Sequence, residues 1–143
     1  MRYAYKPSDR SVSIPVSLSA GRETVRLFAK VDTGADYCIF ERGLAEALQI
    51  EVEQGTPLSF STVGGGFRAY GHELTLIALG FEVHALVYFF ENPDIRRNVL
   101  GRIGWLNRVR LGLVDYDSAV YLSPYDESDP EGRDRAATPD DGR

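Results

Sequence analysis

The chain has 143 residues, a net charge of −5, and 43% hydrophobic and 11% aromatic residues. That length predicts one domain with a sizeable core, and the composition is that of a globular chain. No stretch approaches the ~20 apolar residues of a membrane helix, and the charge supplies no basic field for nucleic acid.

The charge is unevenly placed. From Ser123 onward seven acids face three arginines, a net −4, which leaves about −1 for the rest of the chain. Residues 1–7 lack the apolar stretch of a secretory signal, and a lone Cys38 excludes an intramolecular disulfide. Both lead to the expectation of a reducing, cytoplasmic setting.

In chain order, residues 11–18 predict a strand, with Val12, Ile14, Val16 and Leu18 alternating against small or polar partners. Ser19-Ala20-Gly21 turns it into a hairpin partner at residues 23–31, with Val25, Leu27 and Ala29 on one face. The tetrad Asp32-Thr33-Gly34-Ala35 follows, then a short apolar strand at residues 37–40. Leu44, Ala47 and Leu48 fall at helical spacing and predict a helix over residues 41–49. Residues 59–63 and 68–76 flank Gly64-Gly65-Gly66 and predict a hairpin with a mobile glycine tip. A second hairpin is expected from residues 73–79 and 82–90, turning at Gly80-Phe81. Residues 98–101 read as a short buried strand, 103–110 as a helix, and 111–114 with 119–122 as a final hairpin. Residues 1–123 therefore form the expected domain, and 124–143 an acidic, proline-containing tail whose composition predicts disorder.

The chemistry concentrates at Asp32. A single carboxylate with an ordinary pKa is a weak nucleophile and a poor acid at neutral pH. Two carboxylates about 3 Å apart cannot both ionise, so the pair keeps one proton for acid–base work. One such motif in the chain then calls for a second copy. Gly34 allows close backbone approach and positive φ, the Thr33 hydroxyl can brace the turn, and Ala35 leaves room for a substrate chain.

The run Val31-Asp32-Thr33-Gly34-Ala35-Asp36-Tyr37-Cys38-Ile39-Phe40 closely resembles the active-site segment of retroviral-type aspartic proteases and their bacterial single-domain relatives. The glycine hairpin stands where that family carries its substrate-covering flap. Val99-Leu100-Gly101-Arg102 is similar to the family's hydrophobic-hydrophobic-Gly segment, which passes beside the catalytic loop. The resemblance spans residues 11–122. It implies an all-β, retropepsin-like acid-protease barrel with a glycine-rich flap and one or two short helices. It further implies an aspartic endopeptidase working as a homodimer on a protein or peptide, without metal or organic cofactor. Asp32 would be catalytic, with Thr33 and Gly34 building a cross-subunit grip. Ala35, Gly64, Gly65 and Gly66 would contact substrate, and Gly101 would pack against the Asp turn. The family's dimers are usually sealed by intertwined chain termini.

Competing readings are weaker. A dimeric, non-catalytic peptide- or protein-binding domain on the same fold is the alternative. Gly64-Gly65-Gly66-Phe67-Arg68-Ala69 fits a loose dinucleotide pattern, but no helix is expected after it. His72, His84 and Cys38 lack zinc spacing, and Cys38 reads as an inert buried thiol. Asp117-Ser118 lacks the glycine of the catalytic turn and reads as a hairpin bend.

Overall fold

The computed structural model describes residues 1–124; of the tail expected from residue 124, Pro124 is instead the last residue of a strand, and 125–143 lie outside the described residues. The first sheet has the order β1-β10-β9, from β1 (Arg2–Ala4), β9 (Val109–Val114) and β10 (Ala119–Pro124). The second holds β2 (Ser13–Ala20), β3 (Glu23–Val31), β4 (Ile39–Phe40), β5 (Thr56–Thr62), β6 (Gly65–Ala78), β7 (Phe81–Phe90) and β8 (Val99–Leu100). Their order is β2-β3-β8-β4-β7-β6-β5, and β2 also pairs with β6. That last pairing closes six strands into a barrel and leaves β5 outside the ring.

Side-chain alternation explains why these segments curl around one core. Ile14, Val16 and Leu18 of β2 are buried, as are Leu74, Leu76 and Ala78 of β6 and Ala85, Val87 and Phe89 of β7. Phe40, Leu100 and Trp105 fill the centre. The single α-helix among the described residues, α1 (Arg42–Ala47), packs against this core through Ala45 and the adjoining Leu48 and is shorter than its apolar spacing predicts. Gln49 adopts φ +59 and ends it. A reciprocal pair holds its start: the Glu41 amide donates to Asn98 Oδ1 (3.0 Å), and Asn98 Nδ2 donates to Glu41 Oε2 (2.6 Å).

Two expectations are corrected. The helix over residues 103–110 is only a 3-10 turn, Leu106–Arg108, because the chain re-enters extended structure at Val109. Gly104 at φ +104 breaks any helical path before it. The two segments read between residues 68 and 79 are one continuous strand, β6, which serves the flap hairpin first and the barrel afterwards.

Cys38 is fully buried, and burial pushes its thiol up to about 11. A hydrogen bond to Asp115, ahead of burial, pushes the Tyr5 hydroxyl up to about 12. Both groups ionise more easily unfolded, at 9.0 and 10.0, so their neutral forms favour the folded chain. Stability from Cys38 is therefore intact below the unfolded value and falls as pH rises toward about 11. Denaturant midpoints should drop across that alkaline window, and a thiol reagent at about pH 8 should label Cys38 only after unfolding.

Candidate active site

The Asp32 turn sits where β3 ends, and a topological insertion holds it. β8 lies between β3 and β4, the two strands that flank the turn. It runs parallel to β3 through Lys30↔Val99 and Val31↔Leu100, and antiparallel to β4 through Ile39↔Val99. The loop between β3 and β4 must therefore arch over the exit of β8.

Backbone hydrogen bonds fix that arch. Asp32 N–H donates to Leu100 O (3.0 Å), Arg102 N–H to Ala35 O (2.9 Å) and Ile103 N–H to Asp36 O (2.8 Å). Inside the turn, Ala35 N–H donates to Asp32 O (3.2 Å), and Gly34 N–H donates to Asp32 Oδ1 (2.9 Å). The carboxylate thus keeps a defined orientation with its second oxygen uninvolved in that bond. Asp32 is half-buried, whereas Thr33 and Gly34 are exposed.

Gly101 makes the arch possible. A Cβ there would meet Tyr37 C at 2.6 Å and Ala35 O at 2.8 Å, with Tyr37 O nearer still. These are backbone atoms that cannot rotate away. Gly34 matters through space and not through φ: it adopts no positive φ, but a Cβ would lie 3.3 Å from Asp32 Oδ1. The Thr33 hydroxyl makes no hydrogen bond among the described residues, so Asp32 itself braces the turn within one chain. Ala35 is half-buried, and its carbonyl is taken by Arg102.

The glycine hairpin forms, with a different tip. β5 and β6 pair from Thr56↔Gly71 to Thr62↔Gly65, so the turn itself is Val63-Gly64. Gly65 (φ +122) and Gly66 already belong to β6. Thr62 braces the tip, its hydroxyl accepting from Gly64 N–H and donating to Gly65 O, both at 3.2 Å. Between this hairpin and the loop after β7 lies an open groove of about 610 Å³, reached by Phe60, Phe67, Arg68, Asn92 and Ile95.

Sequence reasoning takes Tyr88 and Phe90, with Phe81 and Phe89, as core or pocket wall. It misses that Tyr37, Phe60 and Phe67 join them into one aromatic wall between the turn and the hairpin. Tyr37 packs edge-on against Tyr88 at 5.0 Å between ring centroids. Phe90 lies on the same face of β7, two residues on, and meets Phe60 and Phe67 at 6.3 Å each. The signal was the alternation of residues 58, 60, 67 and 69 across the hairpin.

No family model matches the chain, and no curated protein does. Among solved structures, the EIAV protease in complex with the inhibitor HBY-793 superposes with a TM-score of 0.52. The match covers 68% of this chain and 88% of that one, at 19% identity. The fold is retropepsin-like. At that identity the likeness is one of architecture: a mostly β retropepsin-like fold with few helices. No helix among the described residues is long and apolar enough to cross a membrane.

Proposed function

We propose that this retropepsin-like chain is an aspartic endopeptidase whose active site forms between two subunits. The observation that carries this reading is the Asp32 turn: a carboxylate oriented by Gly34 N–H, on a backbone whose Asp32 N–H is held by Leu100 O, with Thr33 and Gly34 exposed beside it. A second copy meeting that surface across a twofold axis would set two Asp32 side chains together. The pair shares one proton. Its ionised member takes a proton from water while the protonated member polarises the peptide carbonyl and then supplies the leaving nitrogen. No covalent intermediate, metal or organic cofactor enters this chemistry, and the titration belongs to the pair.

The hairpin at Thr62–Gly66 acts as the cover, its Gly64, Gly65 and Gly66 backbone lying against bound peptide, with Ala35 on the opposite side. The run from Val31 to Phe40 and the one-motif chain support kinship with bacterial single-domain relatives of the retroviral enzymes. A lone, buried thiol supports a cytoplasmic site of action.

Incubation with a broad peptide library, followed by mass spectrometry, tests the reading. Expected are new termini from internal peptide bonds, produced only by fractions that sediment as dimers. Peptide binding without any cleavage across the pH range would overturn it in favour of a binding domain.

A further inference from the structure

The groove between the β5–β6 hairpin and the loop after β7 holds a charge that the folded chain leaves unanswered. Arg68 lines this groove, and its side chain makes no hydrogen bond or ion pair among the described residues. Across the sheet, Glu91 donates its N–H to Arg68 O at 2.9 Å, so the two residues stand opposite each other. The Glu91 carboxylate nevertheless turns elsewhere: its Oε2 accepts the Tyr70 hydroxyl at 3.0 Å. Glu91 is also the one carboxylate among the residues lining the groove.

The rest of the lining offers donors. Ser59 stands opposite Arg68 in the register, so both share one face of the hairpin, and Ser61 follows on that face by alternation. Asn92 Oδ1 accepts from Asp94 N–H at 2.9 Å, which leaves the Asn92 Nδ2 group to donate. Ile95 adds an apolar side to the same groove. Donors are thus in excess, and the one acid present is already engaged.

We infer that Arg68 determines specificity, selecting peptides that place an aspartate or glutamate side chain in this groove. This rests on the endopeptidase reading above and names its substrate class. The planar guanidinium matches the two oxygens of a carboxylate, which an ammonium or an amide does not. Asn92 and the serine hydroxyls can donate to the remaining lone pairs, and Ile95 can cover the methylene stem. A phosphorylated side chain suits the groove less well. It would bring about two negative charges to a single guanidinium, with Glu91 close by. A lysine in the same place would meet Arg68 as a like charge, which excludes basic peptides by repulsion.

Cleavage of a positional-scanning octapeptide library by the full chain, read by mass spectrometry, tests the assignment. At one fixed position relative to the cut, glutamate should exceed glutamine by at least about fivefold in kcat/KM. Arg68→Gln should bring that ratio close to one, and Arg68→Glu should turn the preference toward lysine. An arginine with a merely structural role would lower all rates together and leave the ratio alone. A ratio unchanged in both variants, or a wild type without acidic preference, overturns the assignment and leaves the endopeptidase standing. A preference for phosphoserine above glutamate likewise overturns carboxylate selection. The same peptides, fluorescein-labelled, are titrated by anisotropy onto Asp32→Asn, alone and combined with Arg68→Gln. Acid-selective binding that needs Arg68, with no cleavage by the wild type, supports the groove and sinks the hydrolysis. Neither binding nor cleavage overturns both.

Discussion

Peptide hydrolysis should fall by about 1,000-fold or more in Asp32→Asn, with fold and dimer unchanged. Asparagine matches aspartate in shape, and its Oδ1 can still accept the Gly34 N–H that orients the turn. The backbone bonds to Leu100, Arg102 and Ile103 do not involve the side chain at all. What disappears is the capacity to take a proton from water and to hold one for the leaving nitrogen. Initial rates on a cleaved library peptide measure the loss, and sedimentation and thermal melting serve as controls. Wild-type rates should describe a bell in pH, because activity needs one member of the pair protonated and the other ionised. Proteolysis that survives in Asp32→Asn would remove this residue from the chemistry.

A second large effect is expected far more cheaply in atoms. Gly101→Ala adds one methyl group, yet its Cβ would collide with the Ala35 and Tyr37 backbone. Rotamer changes cannot relieve a clash with main chain, so either β8 withdraws or the Asp32 arch lifts. Overpacking of this kind costs about 3 kcal/mol or more, which lowers the melting temperature by roughly 10 °C in a domain of this size. Hydrolysis should drop further than stability alone explains, because the Arg102 and Ile103 bonds that set the turn depend on the same approach. Melting curves and rates measured below the transition separate the two losses. A variant as stable and active as wild type would show that the arch tolerates a wider gap.

Local chemistry made much of this legible. The alternation of Ile14, Val16 and Leu18 reports a half-buried strand directly, and the barrel buries those three residues. The Asp turn was readable as a tight bend at a strand end. Gly34, however, serves it through space and its N–H rather than through φ, and the Thr33 hydroxyl does not brace it among the described residues. Errors arose where one residue type serves several geometries. Three consecutive glycines announce a tight hairpin without saying which one turns; Val63-Gly64 does, and Gly65 supplies the positive φ. Apolar spacing through Trp105, Leu106 and Val109 suits a helix equally well as a 3-10 turn followed by a strand. The aromatic wall joins three separated segments, at Tyr37, at the Phe60 and Phe67 hairpin and at Tyr88 to Phe90, so no short window of sequence contains it. The placement of β8 between β3 and β4 is likewise a property of topology.

That insertion has a bearing on biosynthesis. Lys30 and Val31 wait for Val99 and Leu100, which leave the ribosome long after them. Until they arrive, the nascent sheet has a vacant slot under the acidic loop, and the loop lacks its supporting carbonyl from Leu100. Distant pairings of this sort form slowly, since chain closure must come before any contact rewards it. The supported Asp32 turn is thus withheld from chains truncated before Leu100 and forms only when nearly the whole folded body exists.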